Sequence, residues 1–208
     1  GIEAANWVER DHAAHFIAYP ATFSYDAKYR PRYEGEVLVP PIGPVPQPSD
    51  ELLEPGIFVT VTGIPGLERL YEEARRLGLK LYSNDPVAVP GSVKTPVSMI
   101  PNKSIQFQFA RSGWSSVWLS MIVGTPLVVP DFDSKDDPEI YFNNRAVERL
   151  GIGAIYRGEP LEVILAKREA IRAASSKLVT EINARWGVLD GTAHMAKLVV
   201  ADFLGKRS

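Results

Sequence analysis

Residues 56–82, GIFVTVTGIPGLERLYEEARRLGLKLY, decide the fold. Gly56 to Thr62 is a continuous β-branched and aromatic run, the pattern of a strand buried on both faces. Gly63-Ile64-Pro65-Gly66 is a turn. Leu67, Leu70, Tyr71, Ala74 and Leu77 then recur at helical spacing, Glu72 is placed to pair with Arg76, and Gly78 stops the helix. Leu79-Lys80-Leu81-Tyr82 supplies the next strand. Strand, helix and strand in so short a span form a βαβ unit, and that unit implies a parallel sheet.

The alternation continues toward the C-terminus. Ser104–Phe109 reads as a strand, Ser115–Val123 as a helix ended by Gly124, and Thr125–Val129 as a strand. Ile140–Leu150 reads as a helix stopped by Gly151, and Ala154-Ile155-Tyr156 as a short strand. From Pro160 the pattern is helical throughout: Pro160–Lys167, Ala170–Trp186 and Ala193–Leu204, with Asp190 and Thr192 as possible caps. Residues 51–208 are therefore expected to form an α/β domain, a doubly wound parallel sheet of Rossmann-like type with a helical C-terminal tail.

Upstream the character changes. Six of the seventeen prolines fall between Pro40 and Pro55, a density that excludes helix and inner strand and reads as an extended connector. His15–Tyr19 and Glu36–Val39 are short strand candidates. Residues 1–50 read as the end of a preceding unit plus that connector, in need of something to pack on. The opening Gly1-Ile2-Glu3 carries neither Met nor a charged-then-apolar leader and looks like an excised piece.

Composition narrows the function. Apolar residues make up 45% and charged residues 23% of the 208, the profile of a globular protein with a sizeable core. The 23 basic against 25 acidic side chains leave a net charge of −2, so no basic field exists for nucleic acid or an anionic lipid surface. There is no cysteine, which removes disulfides, thiol nucleophiles and thiolate metal sites and fits a cytoplasmic location. His12 and His15 lack i,i+4 spacing and His194 lies on the last helix, so no histidine metal cage is expected.

Ligands of an open parallel sheet sit beyond the carboxyl ends of its strands. Three loops there carry chemistry. Thr62-Gly63-Ile64-Pro65-Gly66 is neither a P-loop nor a dinucleotide fingerprint, and is either a tight turn or a glycine loop facing a ligand. In Arg111-Ser112-Gly113-Trp114-Ser115-Ser116 a glycine lets backbone approach an anion, and small hydroxyl residues at a helix start surround a phosphate with donors. The same serines also suit plain helix capping. Pro130–Glu139 enters the helix carrying Asn143 and Asn144; its carboxylates suit sugar hydroxyls and Lys135 suits a phosphate, or the loop is a solvated acidic turn with Asp136 or Asp137 as cap.

Taken together, ARSGWSSVWLSMIVGTPLVVPDFDSKDDPEIYFNNRAVERLGIGAIY (110–156) resembles the donor-binding, C-terminal half of two-domain (GT-B fold) glycosyltransferases. It is most similar to peptidoglycan-precursor N-acetylglucosaminyltransferases and plant-type UDP-sugar transferases. The likeness rests on the Arg-Ser-Gly turn, the following Trp-Ser-Ser, the Gly-Thr-Pro-Leu-Val-Val-Pro strand, the Lys135-Asp136 loop, and the Asn143 helix ending at Leu150-Gly151. Residues 15–44 are similar to the last strand of the N-terminal half and the interdomain connector.

The resemblance implies a function position by position. Arg111, Ser112, Gly113, Trp114, Ser115 and Ser116 would hold the donor diphosphate. Thr62, Gly63 and Gly66 would lie near the donor phosphates and the acceptor, and the backbone of Val97–Ile100 near the base. Lys135, Asp136 and Glu139 would approach the sugar. The donor would be a nucleotide-diphosphate sugar, most plausibly UDP-linked, with no separate cofactor and no obligate metal, although Asp131-Phe132-Asp133 spells an acidic pair. Inversion also needs a positioned base, which the family keeps in its N-terminal half; that half would have to be supplied in cis or in trans, and any peripheral membrane contact would be made through it.

The chain departs from the family at two points. The glutamate that usually clamps the ribose is Leu119, and the paired amides or Asp-Gln near the sugar are Glu139-Ile140. An alternative in a different class is therefore a non-catalytic nucleotide-sugar-binding or assembly module that pairs with a separate acceptor-binding subunit.

Overall fold

The computed structural model describes residues 15–18, 36–60 and 67–205. Among these residues eight strands run in chain order: β1 (His15–Ala18), β2 (Glu36–Val39), β3 (Gly56–Val59), β4 (Lys80–Ser83), β5 (Val93–Lys94), β6 (Ile105–Phe109), β7 (Leu127–Pro130) and β8 (Gly153–Tyr156). Among the described residues the helices are α1 (Glu68–Arg76), α2 (Trp114–Val123), α3 (Pro138–Leu150), α4 (Leu161–Ala166), α5 (Arg168–Trp186) and α6 (Thr192–Gly205), with a 3₁₀ turn at Val97–Met99.

Strands β3 to β8 form one sheet in the order β5-β4-β3-β6-β7-β8, every pairing parallel. Counting from β3, this is the 3-2-1-4-5-6 order of the doubly wound dinucleotide-binding fold. Its cause lies in the side chains: β3, β7 and β8 are buried at every position, as strands covered by helices on both faces must be. Phe58, Phe107 and Phe109 are fully buried, each contributing about 1.5–3 kcal/mol of apolar burial. Gly56 permits the tightest approach in the sheet, since a Cβ there would lie 2.5 Å from the Lys80 carbonyl oxygen and from the Tyr82 ring. At β5 the sheet ends in a two-residue edge whose Val93 and Lys94 are both exposed, a short edge that offers little to a stray strand.

Every predicted helix and strand from Gly56 onward is present, with ends within two residues except for the first strand, which was expected to reach Thr62 and ends at Val59, residues 61–66 lying outside the described residues. The predicted Glu72–Arg76 pair is not what forms. Arg76 Nη2 instead bonds Glu162 Oε1 of α4 at 2.5 Å, and the i,i+4 pair within α1 is Arg69–Glu73 at 3.1 Å. The reason is rotational: Glu73 faces the half-buried side next to α4, where its Oε2 also accepts the Leu161 N–H.

Strands β1 and β2 pair in parallel, His15 with Glu36 through Ala18 with Val39, as a separate two-stranded sheet. The connector that follows is fastened at two places. Near its start Gly191 N donates to the Pro41 carbonyl at 2.7 Å, and a Cβ on Gly191 would lie 2.7 Å from the Pro40 oxygen. Near its end Asn102 Nδ2 donates to the carbonyls of Ser49 (3.1 Å) and Glu51 (2.8 Å), Ser104 Oγ to that of Leu53 (2.8 Å), and Tyr82 OH to that of Glu54 (2.9 Å). Residues 40–55 are thus extended but bolted to the domain, with side chains supplying what a sheet ladder would.

Candidate functional site

Strand order reverses between β3 and β6, and a crevice opens at their carboxyl ends because the chain leaves the two strands toward opposite sides. Thr60 closes β3 there by donating from both N–H (2.9 Å) and Oγ1 (3.3 Å) to the Phe109 carbonyl. The predicted first loop, with Thr62, Gly63 and Gly66, lies outside the described residues. The second loop follows β6 directly and leads into α2.

Gly113 is the N-cap of α2, with φ −57° and ψ 141° and no side-chain cap. The serines therefore do not cap this helix, and the capping alternative fails. Helical hydrogen bonding starts with Ser116 N and Val117 N, both donating to the Gly113 carbonyl. The N–H groups of Gly113 and Ser115 have no partner within the helix, and the positive end of the helix dipole faces the rim. Among the described residues a Cβ on Gly113 would meet nothing within 4 Å, and its φ is one that any residue adopts. Nothing among the described residues requires glycine here. Ser115 is exposed and Ser116 half-buried.

Ser112 is placed differently from the expectation that its hydroxyl serves a phosphate. The residue is fully buried, and its Oγ donates to Asn144 Oδ1 at 2.6 Å, with the Ile140 carbonyl at 3.3 Å. Asn143 Nδ2 donates to the Ser112 carbonyl at 2.8 Å, and Asn144 Nδ2 to the Pro130 carbonyl at 2.7 Å. Two adjacent asparagines, both fully buried on α3, thus tie the loop after β6 to the end of β7. Sequence inspection placed them on the right helix without giving them this task. The signal was there: two consecutive amides on a helix next to buried Ala146 and Val147 have to find backbone partners.

The third loop, 131–137, sits beside the second. Arg111 is exposed and holds its guanidinium 5.2 Å from the centre of the Phe132 ring, a cation–π contact across the two loops. Asp131 takes Arg145 Nη1 on one oxygen (3.2 Å) and Arg157 Nε on the other (3.4 Å). Asp133 Oδ1 accepts the Lys135 N–H at 2.8 Å. The two acids of the Asp131-Phe132-Asp133 spelling are therefore turned to separate internal partners. Asp137, rather than Asp136, caps α3 by accepting from Ile140 N at 3.2 Å. Lys135, Asp136 and Glu139 are exposed, and none of them lines the open pocket of about 540 Å³ that Asp131, Phe132, Asp133, Ser134, Tyr141 and Arg145 form.

The Trp114 and Trp118 rings lie 5.9 Å apart, both packed against the main core. Trp118, Leu119, Ile122 and Ser115 share one face of α2 and, with Ile42, Gly43 and Pro44 of the connector, enclose an apolar pocket of about 240 Å³. Leu119 also packs against the cluster of Phe58, Tyr82, Ile100 and Ile105. The Val97–Ile100 stretch, expected near a base, is a 3₁₀ turn whose Ile100 carbonyl accepts from Thr125 Oγ1 at 2.8 Å, so that this carbonyl is spent inside the fold. Among the described residues no group of three His, Cys, Asp or Glu side chains has metal-binding geometry, and no helix is long and apolar enough to cross a membrane.

The six-stranded parallel sheet flanked by helices is Rossmann-like, a fold shared with GT-B glycosyltransferases. The solved structures similar to it are of that kind. CalG4, the calicheamicin glycosyltransferase, superposes with a TM-score of 0.62 at 17% identity over 95% of this chain and 54% of its own. The glycosyltransferase SnogD from Streptomyces nogalater gives 0.57 at 16% over 88% and 54%. The spinosyn forosaminyltransferase SpnP gives 0.54 at 15% over 89% and 55%. At such identities the likeness is one of fold, and the chain spans about half the length of each. No protein-family model and no curated protein matches the sequence.

Proposed function

We propose that the chain is the donor-binding half of a glycosyltransferase, taking a sugar from a nucleotide-diphosphate sugar and passing it to an acceptor. The observation that carries this is Gly113: an N-cap glycine at the topological switch point, with no described residue within 4 Å of where a Cβ would stand and no backbone need for glycine. A diphosphate seated there would take the N–H groups of the first turn of α2 and the side chain of Ser115, with Arg111 held alongside by Phe132. The dipole adds about 0.3–1 kcal/mol for an exposed anion. As the bond from sugar to diphosphate breaks, these donors would stabilise the charge growing on the leaving phosphate. Lys135, Asp136 and Glu139 would face the sugar from the loop leading into α3.

The base that deprotonates the acceptor would come from a second half, in cis or in trans. The β1–β2 pair supports that arrangement, because two parallel strands alone do not make a stable sheet. The alternative, a non-catalytic nucleotide-sugar-binding or assembly module that pairs with a separate acceptor-binding subunit, makes the same prediction for nucleotide binding and differs only in catalysis. Titration calorimetry of the chain with UDP tests the common part, and absence of heat with every nucleoside diphosphate would refute it. Sugar transfer after adding the second half separates the two readings.

A further inference from the structure

The loop after β6 enters α2 through the peptide group between Ser112 and Gly113. Its carbonyl end is taken: Asn143 Nδ2 donates to the Ser112 oxygen at 2.8 Å, from a side chain fully buried on α3. Its amide end is not. The Gly113 N–H precedes the first helical hydrogen bonds, which run from Ser116 and Val117 to the Gly113 carbonyl, and it donates to no described residue. A trans peptide is planar, with its C=O and N–H pointing opposite ways. Drawing the oxygen inward to Asn143 therefore turns the Gly113 N–H away from α3. The Ser112 hydroxyl is pinned separately to Asn144 at 2.6 Å, which keeps the plane from flipping. Stability alone does not account for the amide at 143. Asn144 uses both atoms of its side-chain amide, whereas Asn143 Oδ1 is buried without a partner among the described residues. A buried acceptor left unpaired is destabilising, and a leucine of similar bulk would carry no such penalty.

We infer that Asn143 is a positioning residue: by holding the Ser112 carbonyl it aims the Gly113 N–H at an anion resting on the N-terminus of α2. This rests on the donor-site reading above and names the side chain that orients it. Asn143 is fully buried and acts only through the peptide group it holds. An N–H bond to an anion weakens steeply as its angle departs from linear, so a peptide plane free to turn would give up that donor.

The test is titration calorimetry of the whole chain with UDP, and with inorganic pyrophosphate as the probe for the anion alone. Asn143→Leu should remain folded by thermal unfolding and bind both about tenfold more weakly. In protein isotope-labelled on glycine, pyrophosphate should move the Gly113 amide resonance of the unaltered chain and leave that of Asn143→Leu in place, a signature that a merely structural role would not give. Asn143→Asp has no proton to donate while ionised. Its deficit against the unaltered chain should be full at about pH 8 and shrink as acid returns a proton that the carboxyl can give to the Ser112 carbonyl. Equal UDP affinity in the unaltered chain and a folded Asn143→Leu would overturn the inference while leaving the donor site standing. A deficit in Asn143→Asp that does not change with pH would also overturn it. Failure of the unaltered chain to bind either probe would overturn the donor-site reading and this inference with it.

Discussion

The Ser112 hydroxyl and the Asn144 side chain meet at 2.6 Å with both residues fully buried, and that contact holds the loop after β6 against α3. Because Asn144 also donates to the Pro130 carbonyl, one amide fixes the relative position of two rim loops. Ser112 thus shapes the crevice from behind, and its hydroxyl has no need of a ligand.

The Ser112–Asn144 pair should therefore behave as a coupled unit. Asn144→Ala leaves a buried hydroxyl and a buried carbonyl short of partners, each costing about 1–3 kcal/mol. In a double-mutant cycle with Ser112→Ala, read by urea unfolding, the two changes should fall short of additivity by about 0.5–3 kcal/mol. Simple additivity would mean that the contact carries no energy.

Gly113→Trp should separate folding from binding. With open space at its Cβ position the substitution should change stability by no more than about 0.5 kcal/mol, while UDP binding disappears. Ser115→Asp should have the same selectivity through charge repulsion. Both are checked by thermal unfolding beside calorimetry.

Gly191→Ala should do the reverse at the connector. Its Cβ would stand 2.7–2.8 Å from two proline carbonyl oxygens and a proline ring carbon. A loss of about 1–3 kcal/mol is expected, accompanied by faster protease cleavage within residues 40–48. Gly113→Ala, with no neighbour to strike, is the matched control.

Acid should loosen the same place. The Thr192 hydroxyl and N–H, together with the Gly43 N–H, hold the Asp190 carboxyl below its ordinary range. A carboxyl with a depressed folded value contributes its stabilisation above the unfolded value and loses it as pH falls through the folded one. Protease sensitivity of the connector should accordingly rise below about pH 4, and Asp190→Asn should remove that dependence.

The fold was legible because its cues are local. The βαβ pattern of 56–82, and the glycines after α1, α2 and α3, act within a few residues and survive any tertiary context. β5 was missed because two exposed residues, Val93 and Lys94, have no apolar period to show. The site was legible only in its location. That Gly113 would be open and Ser112 closed depends on Asn144, more than thirty residues downstream, and no spacing rule reports such a contact. Arg76 illustrates the same limit: Glu72 was near enough in sequence, but Glu162 was nearer in space.

The reversal of strand order also bears on how the chain acquires its shape. Phe58 meets Gln108 and Val59 meets Phe109 across the β3–β6 seam, the most distant pairings in sequence within the six-stranded sheet. Loop-closure entropy delays such a join until the nearer strand neighbours on either side have formed. The crevice is then the last suture of the molecule, and a small molecule lodged in it would tie the β5-β4-β3 half of the sheet to the β6-β7-β8 half.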